Sequence, residues 1–367
     1  MNERAPSSPP TSATNRPPRT RHGNFGRTSR AKARGSAALW LLFTLTLLLM
    51  FGAFAVDVPR VFAVNHELQN AADAAALAGA GALTTGSSVP NWTAAAASAA
   101  AAVPLNGSDG VKLSSGTVKA GYWDVAASSP TLVAPSAVTL PAPAGQMPEP
   151  AVQVTITRDA SNNGGLVKLL LGVLVGTGST SDSATSVAVI TPPSAVPAGG
   201  LFPVVMDQCV FNQYWNSQTN QPKLDSTGLP HEFAIGNGTM YGGSCEAGQW
   251  TSFQTVANDT PTVRGLITNG NPTGLKVGDS IYIQPGVKDT IYSSVPTGVT
   301  VVMPVGTNVS TSGMTSIIAF AAFYIDKSSG GSGKYISGHF VAGYKIPTQA
   351  SGIGTGYGSY VAPRIAY

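Results

Sequence analysis

The sequence predicts an α+β protein in which an N-terminal transmembrane helix continues into alanine-rich helices and then gives way to β-rich extracytoplasmic structure. Three observations predict it. Residues 37–56 form an apolar run without a charge, residues 57–83 and 91–103 keep helical character but turn to alanine, and later apolar runs are short and separated by Gly, Pro, Asn and Asp. With 367 residues the chain is long enough for two ordinary domains, or for one domain plus appendages.

Only 10% of the residues are charged, against about 25% in soluble domains. The net charge of +4 hides an asymmetry. The first 34 residues hold eight Lys or Arg and one acid, Glu3, a balance of +7, which leaves the other 333 at −3. The basic residues are scattered among Pro, Ser, Thr and Asn with one aromatic, Phe25. Neither a recognition helix nor a stacking platform accompanies the charge, so no nucleic-acid partner is expected. Residues 1–34 read instead as a disordered basic cytoplasmic tail.

Residues 35–56 read as the transmembrane helix, because Ala37 to Val56 is long enough to cross roughly 30 Å of hydrocarbon. Arg27, Arg30, Lys32 and Arg34 precede it, and Asp57 is the first charge beyond it. That bias predicts a single pass through the bacterial inner membrane with a cytoplasmic N-terminus and the bulk periplasmic or extracellular. The alternative is a signal peptide cleaved after Ala55, since Ala53-Phe54-Ala55 satisfies the small-x-small requirement. The mature chain would then be a secreted adhesin or carbohydrate-binding module.

Beyond the span, Asp57 either caps a new helix with Pro59 in its first turn, or the span continues with a kink at Pro59. In both cases Val61, Val64, Leu68, Ala71, Ala75, Ala78 and Ala82 repeat at spacings of three and four and draw one packing seam. Its small side chains admit a close neighbour. That neighbour is either the protein's own sheet or another protein's helix, including that of a second copy. Asn91 to Val103 reads as a second alanine helix able to pair with the first.

The segment RGSAALWLLFTLTLLLMFGAFAVD followed by LQNAADAAALAGAGAL resembles the N-terminal part of TadE/TadG-like proteins of bacterial tight-adherence (Flp) pilus systems. Arg34-Gly35 before the span, Asp57 after it and the block from Leu68-Gln69 to Asp73-Ala74-Ala75-Ala76-Leu77-Ala78 carry the likeness. The resemblance implies a membrane-anchored, non-enzymatic role in assembling or secreting pili, beside other pilus-assembly or secretion proteins and without a cofactor. Pilin-like members carry Glu five residues after the processed Gly. Here Trp40 holds that place, which favours a retained TadG-like protein. The metal motif Asp-x-Ser-x-Ser of larger members is broken in both Asp159-Ala160-Ser161-Asn162-Asn163 and Asp182-Ser183-Ala184-Thr185-Ser186.

Residues 57–190 are read as a membrane-proximal α+β domain, with strands expected at Val111 to Val125, Ala151 to Arg158 and Ser183 to Ile190. Leu166 to Val175 is apolar except for Lys168 and too short to span, so a buried helix or a loop packed on the sheet is expected. Residues 191–200, TPPSAVPAGG, read as a linker, and 201–367 as a β-rich domain, either a sandwich or an irregular barrel. Turns are expected at Asn237-Gly238, Asn269-Gly270 and Pro285-Gly286, a strand or brief helix at Ile317 to Ile325, and a surface tail at Ser351 to Tyr360.

Export makes Cys209 and Cys245 a disulfide pair in this reading. The rival, a thiol nucleophile with His231 and Asp225 or Glu232, has no local feature that would activate sulfur. His231-Glu232 lacks a second histidine for zinc; Asp207, Asp279 and Asp289 could pair as glycosidase carboxylates, but any β protein offers several acids.

Overall fold

The computed structural model describes residues 36–86, 89–236, 238–257, 259–284, 289–309, 313–347 and 350–367. The tail 1–34, with Arg27, Arg30, Lys32 and Arg34, lies outside the described residues, as do Asn237 and Pro285-Gly286 of the expected turns. The chain falls into two compact units, residues 1–51 and 52–367.

Helix α1 runs over Ser36–Ala82 with Pro59 inside it, so of the two arrangements open at Asp57 the uninterrupted helix is the one found. Residues 37–51, in the first unit, expose every side chain. Helix α2, Trp92–Ala102, starts where Asn91 accepts the Ala94 amide at 3.0 Å, a cap that explains its beginning after a proline.

In the second unit the chain next forms β1 (Thr117–Asp124), β2 (Leu132–Val133), β3 (Pro148–Arg158) and β4 (Asp182–Val189). With the C-terminal strand Arg364–Ile365 these make one five-stranded antiparallel sheet, in the order C-terminal strand, β4, β3, β1, β2. The alternation of β3 does what period 2 requires. Val152, Val154 and Ile156 are fully buried against Val64, Leu68, Ala71, Ala72, Ala75 and Ala76 of α1, while Gln153, Thr155 and Thr157 face the other way, half-buried.

Residues 191–200, expected as a linker, are packed. Ala195–Val196 pairs with Leu275–Lys276, and Thr191, Pro192 and Pro193 are buried. The expected surface tail covers them: Ser194 and Ala195 both donate their amides to the Ser351 carbonyl, and Gly352 and Gly354 leave no room for a Cβ against residues 193–194. Tyr357, Ser359 and Tyr360 are buried as well, so this end is core rather than tail. Missing side chains, which look like loop chemistry, here permit backbone-on-backbone contact.

Beyond it, β5 (Val204–Asp207), β6 (Gly248–Phe253), β7 (Ser280–Ile283), β8 (Val299–Gly306) and β9 (Gly313–Ser329) follow in sequence. β5 pairs with β6 and, in parallel, with β8; β6 with β7; and β9 with both β7 and β8. The pairings close on themselves, so the irregular barrel is the form found. Strands Tyr335–Phe340 and Phe233–Ile235 extend it outward from β9. Ile317 to Ile325 is a buried strand within β9. Alternate residues serve two cores: Val204 and Met206 join Trp250 and Phe323, whereas Val205 joins Phe253, Ile281 and Phe320.

Candidate membrane anchor and membrane-proximal interface

The apolar stretch of α1 contains an 18-residue window of mean hydropathy 2.3, and the helix is long enough to cross a membrane. Leu39, Trp40, Leu41, Leu42, Phe43, Leu47 and Leu48 are all more than half exposed. Apolar side chains on every face of a helix suit lipid and leave no polar stripe for water.

Within the second unit, Asp57 does not cap a helix. Its carboxylate accepts three consecutive backbone amides from far along the chain: Leu170 at 2.7 Å, Leu171 at 3.0 Å and Gly172 at 2.6 Å. Burial pushes this carboxyl up, but the three amides, helped by Arg60, outweigh it and hold the group below its ordinary value. The bonds fix residues 169–178 beside the helix. This segment is the tip of a hairpin, Val167–Lys168 paired with Ser179–Thr180, and contains a 3₁₀ turn at Gly172–Val175. Leu166 to Val175 is therefore neither a buried helix nor fully packed on the sheet: Leu170 is 61% and Val173 63% exposed.

One turn on, Arg60 meets Asp109 at 2.9 Å, Asp109 lies 3.6 Å from the buried Arg158, and the Asp109 amide donates to Glu67 at 2.6 Å. Asn65 donates to Asp182 at 2.9 Å. The polar side of the helix is thus bound to the domain, and Asp182 of the broken metal motif is a structural acceptor.

The seam is occupied by the chain itself. Val64, Leu68, Ala71 and Ala75 are buried, Val61, Ala78 and Ala82 are half-buried, and the buried line drifts to Ala72, Ala76, Ala80 and Leu83. β3 covers one side and α2 the other, with Ser98 donating to the Ala78 carbonyl at 3.0 Å. The drift follows from the 3.6-residue turn, which carries a straight helix off any strict heptad. Of the two occupants open at the outset, the protein's own sheet and α2 hold this face.

Cys209 and Cys245 form a disulfide with Cα atoms 5.8 Å apart. Asp207 lies near both sulfurs, but bonded sulfurs are not thiolate ligands; Asp207 instead accepts the Cys209 amide at 2.8 Å and the Val309 amide at 2.7 Å. His231 bonds the Glu232 carbonyl, Asp225 closes its own turn through Thr227, Asp279 accepts from Lys276, and Asp289 pairs with Lys334.

Sequence reasoning missed Glu149. It is buried on β3 in a cleft of about 490 Å³ shared with Tyr122, Trp215, Asn220, Tyr357 and Tyr360. Burial pushes its carboxyl well above the ordinary range, opposed by Arg364. A single acid between two prolines gives no pattern that announces burial. The C-terminal strand, far off in sequence, supplies the counter-charge.

A long apolar helix and a helix-backed antiparallel sheet define a candidate single-pass membrane protein with a folded α+β part. The comparisons make the class specific. Residues 35–82 match the model of the Flp pilus-assembly TadE/G-like family and residues 78–188 that of the Tad-like Flp pilus-assembly family. No curated protein and no solved structure matches the chain.

Proposed function

We propose that the protein is a membrane-anchored, non-enzymatic component of Flp pilus assembly or secretion, held in the bacterial inner membrane by residues 35–56. Its N-terminus is cytoplasmic and its bulk lies outside, where it docks other pilus-assembly or secretion proteins. The carrying observation is that the matched segment, residues 35–188, contains the apolar helix, the alanine seam and four strands of the sheet packed on it. The disulfide supports an oxidising compartment for the bulk.

Retention of the helix is favoured over cleavage after Ala55. Ala53-Phe54-Ala55 lies inside an unbroken helix, Ala53 is buried and Asp57 is tied to three amides. Since the seam is covered by β3 and α2, a partner or second copy meets another surface. The test is deletion in the native host with complementation by the intact chain, read as surface pili, together with fractionation and sequencing of the mature N-terminus. Loss of pili and recovery of an intact membrane-bound chain are expected. Unchanged piliation removes the assembly role, and a soluble product starting at Val56 removes the anchor.

A further inference from the structure

Residues 169–178 are a hairpin tip that leaves apolar side chains exposed. Leu170 and Val173 point into solvent, Leu169 and Leu171 are only half-buried, and Lys168 at its base is exposed. A loop of this composition left in water is unfavourable in proportion to its apolar area. It is nevertheless held in place: the Asp57 carboxylate takes the amides of Leu170, Leu171 and Gly172, and Thr177 donates back to the Gly172 carbonyl at 2.9 Å.

What lies beside it decides the occupant. The tip is tied to the first charged residue after the apolar run, and a Cβ built on Gly52 would stand 3.9 Å from Leu171 Cδ1. Around that level the helix exposes Phe54, Val56 and Val58. Loop and helix therefore present one continuous apolar surface where the span ends. Lys168, next to it, is placed for phosphate headgroups.

We propose that the hairpin tip inserts Leu170 and Val173 into the outer face of the same bilayer that the helix crosses, so that the domain touches the membrane at two points. The proposal rests on the anchor reading above. One attachment leaves a domain free to swing about its tether. Two fix its tilt, and with it the direction in which the barrel faces a partner.

The test uses the full chain, disulfide intact, in vesicles of phosphatidylethanolamine and phosphatidylglycerol. An environment-sensitive fluorophore is attached to Val173→Cys, to Leu47→Cys in the span, or to Leu224→Cys on an exposed loop of the second unit. Lipids spin-labelled near the headgroup or near the chain end serve as quenchers. The expected result is blue-shifted emission from position 173, quenched most by the shallow label, with position 47 quenched most by the deep label and position 224 by neither. If position 47 is quenched and 173 behaves as 224 does, the insertion is overturned while the anchor stands. If position 47 is not quenched either, the anchor itself fails and the proposal falls with it. A blue shift at 173 without quenching means that protein, for instance a second copy, covers the tip, which also overturns insertion.

Discussion

Gly79 tests how tightly the alanine seam is closed. It sits on α1 between α2 and β3, and a Cβ added there would stand 2.8 Å from Ala99 Cβ, 2.9 Å from Val152 Cγ1 and 3.0 Å from the Ala95 carbonyl oxygen. Gly to Ala in a helix interior is by itself favourable by about 1 kcal/mol. Overpacking a filled core costs about 1–3 kcal/mol. Because the neighbours belong to two different elements and one is a backbone atom, the cost falls at the upper end, and Gly79→Ala should destabilise by about 2 kcal/mol net. Gly81, two residues along, provides the internal control. Its added Cβ would meet only Pro363 Cγ, at 3.9 Å, an ordinary contact. Gly81→Ala should therefore stabilise by about 1 kcal/mol. Urea unfolding of the full chain in detergent, followed by tryptophan emission, measures both. Trp92 opens α2 and so reports on this interface. If the two variants move the midpoint in the same direction, the seam is not closed in the way described.

The remaining predictions rest on single groups. Replacing both Cys209 and Cys245 by Ser opens a loop of sequence separation 36 and should lower stability by about 4 kcal/mol in the chain-entropy account, measured by denaturant midpoint with the oxidised parent as reference. Glu149 has a raised folded-state pKa, so its contribution is fully present below the ordinary value of 4.5 and is lost as pH rises toward the folded value. Glu149→Gln should match the parent at low pH and be the more stable protein at neutral pH, which thermal scans across that window check; a parent more stable at neutral pH would contradict the burial argument. Asp57→Ala leaves the amides of Leu170, Leu171 and Gly172 without their acceptor. Their hydrogen exchange should accelerate and proteolysis within 169–178 should appear, with the disulfide and barrel amides unchanged.

Much of the architecture follows from local rules. The uncharged run, the alanine periodicity, the Asn91 start of α2 and the alternation of β3 are each visible within a dozen residues, and each element forms where its own sequence places it. What escaped was long-range. Asp57 looks like a helix cap because its neighbours are helical, yet its partners lie more than a hundred residues away. Residues 191–200 and 351–360 look like linker and tail because Pro and Gly dominate them, but each is the other's packing surface. Composition reports that a backbone can turn or approach closely. It does not report what it approaches.

These long-range contacts decide how the second unit can work. If the barrel hung from the sheet by a flexible linker, its docking surface would have no fixed relation to the helix. Instead the strand Ala195–Val196 is paired, the C-terminal strand returns to β4, the Val187 amide donates to the Tyr367 carbonyl, and Tyr360 is buried among the residues that pack on α1. The last residues of the chain thus bind the barrel to the five-stranded sheet, and the sheet is bound to the helix through β3. Truncating residues 357–367 removes Tyr360, the C-terminal strand and the Arg364 charge opposite Glu149 at once. Such a truncation should free the two β parts from each other while leaving the barrel pairings β5 to β9 intact. Limited proteolysis would then cut near residues 191–196, where the intact chain buries Thr191, Pro192, Pro193 and Val196. A truncated protein as resistant there as the parent would mean that the two parts hold together without the C-terminus.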